Sequence, residues 1–343
     1  MEQYELSCII PLYKGKEYIV SCVNEILKIN IHKEIIIVDD GSPDDSFDFC
    51  RSNFADTKEV RIVTKENGGI DSARNHGLDI CSGKYVIFVD QDDKVVPSTI
   101  EYAVQLLRQN DCDVYFWSTN FFNDSGLYKE CDIVTHDIIV NSDSIDDLLR
   151  NFLMHRPSCY INYLGHVWAG IYKRENIENH NIRFYKYVDY EDDYLFILNY
   201  LNLSNKVGFI SKVGYLWREN LKSYSRTYRT INNYICKMEL LYDDIKNKNR
   251  FIRMSSDDKL NIENYWRQYI VLSAIRNCTN QGYINELELI NLKNKIDSVY
   301  YKEAFNSLCL VKDKRERLLF YFIKYDLIMA AIYCVCLYFK TKK

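Results

Sequence analysis

Short β-favouring runs alternate with longer amphipathic stretches through the first third of the chain. Leu6–Ile10, Glu34–Val38, Val60–Val63, Tyr85–Val89 and Val114–Trp117 place apolar, often β-branched residues side by side. Consecutive rather than alternating apolar positions mark strands covered on both faces. Between these runs, Glu17–Lys28, Ser46–Phe54, Ile70–Cys81 and Ser98–Gln109 repeat apolar residues at helical spacing, and Pro97 suits the start of the last. Such alternation predicts an α/β fold with a Rossmann-like, mostly parallel sheet and helices on both faces. From about Asn120 to Thr227 the pattern is irregular. From Ile231 onward it is helical, over Tyr234–Lys248, Lys259–Thr279, Asn285–Asn306 and Arg315–Phe339. The expected organisation is a first α/β half over 1–117, a second half of the same domain over 118–228, and a helical C-terminal region over 229–343.

The last helical stretch bears on location. Leu327–Phe339 is an apolar run of 13 residues followed by Lys340, Lys342 and Lys343. A spanning helix needs roughly 20 apolar residues, so this run is too short to cross a bilayer. Two readings fit: a helix packed on the domain, or an in-plane membrane anchor with a basic flank.

Bulk properties narrow the rest. A formal net charge of −4 over 343 residues argues against bulk nucleic-acid binding. The 12 cysteines are scattered through apolar patterns, with neither a CxxC pair nor a Cys/His spacing suited to zinc. No signal-peptide pattern precedes Ser7, so reduced thiols in a cytoplasmic protein are expected.

The candidate chemistry lies where the predicted strands end. Tyr85–Val89 runs into Asp90-Gln91-Asp92-Asp93, three carboxylates in four positions. Acids this close repel unless a cation or hydrogen bonds compensate, and oxygen donors favour Mg2+ or Mn2+. A solvated acidic turn leading into the next helix is the plainer account. The first strand ends in Pro11-Leu12-Tyr13 and the second in Asp39-Asp40-Gly41-Ser42. Ligands of open α/β sheets bind at the carboxyl ends of strands. A carboxylate there accepts hydrogen bonds from a base N–H or ribose hydroxyls, and Tyr13 offers a stacking face. In Asn67-Gly68-Gly69-Ile70-Asp71-Ser72-Ala73-Arg74-Asn75, paired glycines permit close backbone approach, and Arg74 suits either a phosphate or the acidic cluster. The spacing is neither GxGxxG nor a P-loop.

Taken in order, Ser7–Tyr13, Ile37–Ser42, Asn67–Asn75 and Phe88–Asp93 resemble the successive signatures of family 2 glycosyltransferases with the GT-A fold. The resemblance implies an inverting enzyme that uses a nucleotide-activated sugar, by default a UDP-sugar, and Mn2+ or Mg2+. It assigns the nucleotide to Pro11, Tyr13, Asp39, Asp40, Gly68, Arg74 and Asp90. The metal falls to Asp92, with Asp90 in the same motif and Asp93 as a substitute. The match thins beyond Trp117. Gly165–Arg174 resembles the strand flooring the acceptor cleft, and Tyr190-Glu191-Asp192-Asp193 the motif supplying a general base. Asp192 is then the base and Glu191 its supporting partner; an acidic first turn of a helix is the structural alternative. His166 and Trp168 are candidates for the sugar and acceptor site, against a plain core tryptophan. Lys222 and Arg226 are candidates for the diphosphate, against a surface loop. The acceptor implied is a glycan or lipid-linked glycan at the inner face of the cell membrane, and the helical region offers a homodimer surface. Two other classes remain in view. A catalytically degenerate scaffold would keep the fold without its acids. A nucleotidyltransferase would carry a Gly-rich loop where this chain has Tyr13-Lys14-Gly15-Lys16-Glu17.

Overall fold

The computed structural model describes residues 4–123, 125–131, 134–154, 164–185, 192–219, 231–279, 286–311, 314–325, 327 and 330. The chain divides into two compact units, Met1–Phe152 with Pro157–Asn220, and Leu153–Arg156 with Leu221–Lys343. The first unit runs β1 (Leu6–Leu12), α1 (Ile19–Leu27), β2 (Lys33–Asp39), α2 (Ser46–Phe54), β3 (Val60–Thr64), α3 (Ile70–Ile80), β4 (Tyr85–Phe88), β5 (Lys94–Val95) and α4 (Pro97–Asn110). It continues through β6 (Val114–Asn123), β7 (Gly126–Cys131), β8 (Ile138–Asn141), α5 (Ser142–Leu153), a 3-10 turn (Val167–Ala169), β9 (Gly170–Lys173), α6 (Arg174–Asn179), α7 (Asp192–Leu203) and β10 (Lys206–Arg218).

All seven residues of β1 and all seven of β2 are buried, as their unbroken apolar runs require. The sheet follows the order β3-β2-β1-β4-β9-β6-β10-β5, with β7 beside β6 and β8 beside β10. Strands β3, β2, β1 and β4 are mutually parallel, and β6 is parallel to β10. Strand β9 enters antiparallel between β4 and β6. The carboxyl ends of β1, β2, β4, β6 and β10 and the amino end of β9 all open on the same edge. The strand expected over Val114–Trp117 is longer than its apolar run, reaching Asn123, and does not neighbour β4, because β9 stands between them.

Helix α3 crosses β1 through Gly77. A Cβ there would fall 2.4 Å from Cγ2 of the fully buried Ile9. Alanine would gain up to about 1 kcal/mol of helix propensity, but overpacking a fixed core costs about 1–3 kcal/mol. Gly77→Ala is therefore expected to lower the urea midpoint; an unchanged or raised midpoint would mean that α3 shifts freely on the sheet.

The second unit contains α8 (Ile231–Lys246), α9 (Asn249–Arg253), α10 (Ser256–Thr279), α11 (Glu286–Asp297), α12 (Val299–Asn306) and α13 (Lys314–Lys324). Its core gathers Met238, Tyr242, Trp266, Ala304 and Phe305. The buried Gln268 amide donates to Ala304 O at 2.9 Å and accepts from Leu310 N at 3.0 Å, tying α10 to the end of α12. The single helix expected over Asn285–Asn306 is two. Ser298 adopts an extended conformation between α11 and α12, and its Oγ returns to Lys295 O at 2.6 Å. A hydroxyl that satisfies the preceding helix's carbonyl competes with helix continuation. Among the described residues no helix is long and apolar enough to cross a membrane. Of the terminal run Leu327–Phe339, only 327 and 330 are described.

Candidate active site

The strand-end residues are latched to one another by backbone geometry. Tyr13 N–H donates to Gln91 Oε1 at 2.9 Å, and Gln91 Nε2 donates to Tyr13 O at 3.1 Å. Lys14 N–H donates to Ser42 Oγ at 3.1 Å. The exits of β1, β2 and β4 thus form one rim. Pro11 is buried in it, whereas Tyr13 keeps an exposed ring.

Asp39 and Asp40 are both buried, with different tasks. Asp39 accepts from Thr64 Oγ1 at 2.9 Å and, weakly, from Ser42 N. Asp40 accepts from Lys65 Nζ at 2.9 Å, Gly68 N at 3.0 Å and Gly69 N at 2.7 Å. It therefore clamps the Gly68-Gly69 turn at the head of α3. Gly69 adopts a φ of 90°, a conformation glycine reaches without the penalty a side chain would bring.

Arg74 is the centre of the arrangement. It is 3% exposed. Its Nη1 donates to Asp193 Oδ1 at 2.6 Å and its Nη2 to Asp90 Oδ1 at 3.0 Å, while Asp192 Oδ2 lies 3.9 Å from Nη1. The guanidinium also lies over the Phe184 ring, 5.2 Å from its centroid. Asn75 fixes that neighbourhood with two hydrogen bonds to the Phe184 backbone, Nδ2 to O at 2.8 Å and N to Oδ1 at 2.9 Å. One arginine thereby joins the acidic turn after β4 to the first turn of α7.

The three acids of that turn part company. Asp93 turns inward, accepting from Tyr215 OH at 2.8 Å and Arg218 N at 2.6 Å. Arg218 Nε also donates to Asp92 O at 3.0 Å. Asp93 thus fastens β10 to the turn, while the side chains of Asp90 and Asp92 remain half-buried at the rim. Beneath the rim the His166 ring stacks on Trp168, with centroids 4.7 Å apart, and Trp168 stacks on Tyr215 at 4.5 Å. Trp168 is buried within this pillar and His166 forms its exposed end.

Six carboxyl groups, Asp71, Asp90, Asp92, Asp93, Asp192 and Asp193, face two guanidinium groups here. Burial raises the Asp90 carboxyl against the pull of Arg74, with repulsion from Asp193 and Asp92 adding to the rise. Burial, then Asp90 and Asp92, lift Asp93 well above the usual carboxylate range. Asp193 goes the other way. Burial raises it, but Arg74, then His166 and the Val167 N–H, outweigh that, and it stays anionic below the usual range. A rim with this excess of hard oxygen donors suits a divalent cation whose shell is completed by phosphates. Among the described residues no three His, Cys, Asp or Glu side chains group into a self-sufficient metal cage.

Of the residues singled out from sequence, Pro11, Tyr13, Asp39, Asp40, Gly68, Arg74, Asp90, Asp92, His166, Trp168 and Asp192 line or support this one edge. Asp93 belongs to it as a brace. Glu191, Lys222 and Arg226 lie outside the described residues. Asp193, Tyr215 and Arg218 are structural members that their sequence context did not single out; their partners are remote in the chain.

Comparison with known proteins bears on what this edge does. The profile described as glycosyl transferase family 2 matches residues 7–160. The glycosyltransferase GlyG of Streptococcus pneumoniae is 30% identical over 229 residues, covering 65% of this chain and 73% of GlyG. The chain belongs to glycosyl transferase family 2. An uncharacterized glycosyltransferase of Escherichia coli, YibD, is 26% identical over 326 residues, spanning 93% of this chain and 92% of YibD. Among solved structures, S. aureus TarS 1-349 in complex with UDP-GlcNAc superposes with a TM-score of 0.69 at 18% identity, over 99% of this chain and 92% of that one. At that identity the likeness speaks for the fold, which is GT-A with a helical C-terminal region. The glycosyltransferase therefore has the architecture its strand-end motifs resemble.

Proposed function

We propose that this glycosyltransferase moves a sugar, with inversion, from a UDP-sugar to a hydroxyl of a glycan or lipid-linked glycan. The observation that carries this reading is the Arg74 junction. One guanidinium holds Asp90 of the Asp-x-Asp turn at 3.0 Å and Asp193 at 2.6 Å, with Asp192 3.9 Å away. An acid of the Asp-x-Asp turn and a candidate base therefore share one anchor. TarS binds UDP-GlcNAc; an equivalent donor here would lay its base between Pro11 and Tyr13, near Asp39. Its ribose would lie along the Gly68-Gly69 turn that Asp40 holds. Asp192 takes the proton of the acceptor hydroxyl as its oxygen attacks the anomeric carbon. Attack opposite the leaving diphosphate inverts that carbon with a single carboxylate. Asp92, with Asp90 beside it, would hold Mn2+ or Mg2+, which supplies neutralisation of the departing diphosphate. His166 offers the exposed end of its aromatic stack to the sugar or acceptor. Glu191, Lys222 and Arg226 keep the supporting roles given above, as do membrane-face placement through the C-terminal region and self-association.

The metal assignment predicts that UDP binds wild type much more tightly with Mn2+ than without. In Asp92→Ala the Mn2+ dependence should vanish while the protein stays folded, as titration calorimetry would show. Equal Mn2+ dependence in both proteins would remove Asp92 from the metal site.

A further inference from the structure

Asp71 has no part in the reading above, yet it touches the proposed base. It lies in the first turn of α3, one turn ahead of Arg74, and is 8% exposed. Its carboxyl is in hydrogen-bonding contact with the carboxyl of Asp192. Its Oδ1 is buried and meets no N–H or O–H group. Two carboxylates offer only acceptor oxygens, so a hydrogen bond between them requires one proton.

The surroundings decide which partner holds it. Asp192 keeps 19% side-chain exposure and has Arg74 Nη1 3.9 Å from Oδ2. Asp71 is the more buried of the two. A first-turn position favours its anion by only about 0.3–1 kcal/mol, while taking an unpaired charge out of water costs several kcal/mol. Burial wins. Together with the hydrogen bond to and repulsion from Asp192, it pushes the Asp71 carboxyl up to about 9, against the pull of Arg74. The other titratable groups around it are Asp193 of α7, Asp90 across Arg74, His166 across Asp193, and Asp40 at the turn before α3.

We propose that Asp71 is a positioning residue for the base: as a neutral acid it donates a hydrogen bond to Asp192 and fixes that carboxylate in one orientation. The proposal rests on Asp192 being the base. During transfer the acceptor proton goes to Asp192, the new C–O bond forms, and the anomeric C–O bond breaks with its electron pair leaving on UDP. Asp71 keeps its own proton throughout. Its ionisation would set a second negative charge against Asp192 and abolish the hydrogen bond, so turnover falls as pH rises toward about 9. Stability follows the same sign. The folded protein retains a proton that the unfolded chain releases above the ordinary value of 3.8, so this contribution is complete at acid pH and is lost as pH climbs to about 9.

Infrared difference spectra of wild type against Asp71→Asn, with the full chain at pH 7, test the proton directly. Wild type should show a protonated carboxylic acid band that Asp71→Asn lacks and that fades toward pH 9. The thermal stability of wild type should also fall relative to Asp71→Asn between pH 5 and pH 9. In hydrolysis of UDP-GlcNAc, Asp71→Ala should lose about ten- to a hundredfold in kcat through misplacement of the base, with the donor KM unchanged. Asp71→Asn should recover most of that loss, because its amide still donates, and should lack the alkaline fall. Absence of the acid band, or parallel stability curves, overturns the proposal. So does an Asp71→Ala variant as active as wild type beside an inactive Asp192→Asn. Wild-type turnover in Asp192→Asn would instead sink the base assignment itself.

Discussion

Asp192→Asn is expected to lower turnover by about 10²–10⁴-fold, the range lost when a positioned general base is removed, while UDP binds as it does to wild type. The substitution keeps the shape of the side chain and removes only its capacity to accept a proton. Asp192 opens α7 at the rim, with its side chain 19% exposed, and the charge that α7 lends to the fold comes chiefly from Asp193, 2.6 Å from Arg74. Folding and donor binding should therefore survive. Release of UDP from a UDP-sugar, with calorimetry of UDP on the same preparation, separates the two effects. Parallel losses of affinity and turnover would make Asp192 a structural or donor-binding residue rather than the base.

Arg74→Met should destabilise the first unit by about 3–5 kcal/mol, because it strands buried carboxylates without their cation. Asp193 and Asp90 both depend on that guanidinium. The loss should vary with pH in a defined sense. Asp193 is held anionic below the usual range in wild type, so its pair with Arg74 stabilises above the ordinary carboxylate value and fades on acidification through the folded one. Without Arg74, burial drives the same carboxyl toward its protonated form. The gap between variant and wild type in urea should therefore be wide at pH 8 and narrow toward pH 4. A loss below about 1 kcal/mol, independent of pH, would put this junction in the class of solvated surface pairs.

Strands β1, β2 and β4 were legible because burial on both faces forces continuous apolar runs, as in Glu34–Val38. Sheet order was not. Strand β9 has four residues, too few for a period, and its place between β4 and β6 is set by contacts with both. The same limit divides the acids of the site. Asp90, Asp92 and Asp93 look alike in the chain, and only Tyr215 and Arg218, 122 and 125 residues away, draw Asp93 inward. Arg74 suited either a phosphate or the acidic cluster; Asp193, 119 residues on, shows it buried in the cluster. Asp71 reads as an ordinary first-turn acid favoured by the helix dipole. Its burial against another carboxylate is a tertiary fact with no local signature. Gln91 is a similar case, its amide latching β1 to β4 from between two more conspicuous aspartates.

The most direct test of the whole account is thermal unfolding of the wild-type chain against a panel of UDP-sugars with Mn2+, since a ligand that binds the folded state raises the transition according to its occupancy. UDP is expected to raise the transition and one UDP-sugar to raise it further, which would name the donor. A folded protein whose transition no uridine nucleotide moves, with Mn2+ present, would contradict it.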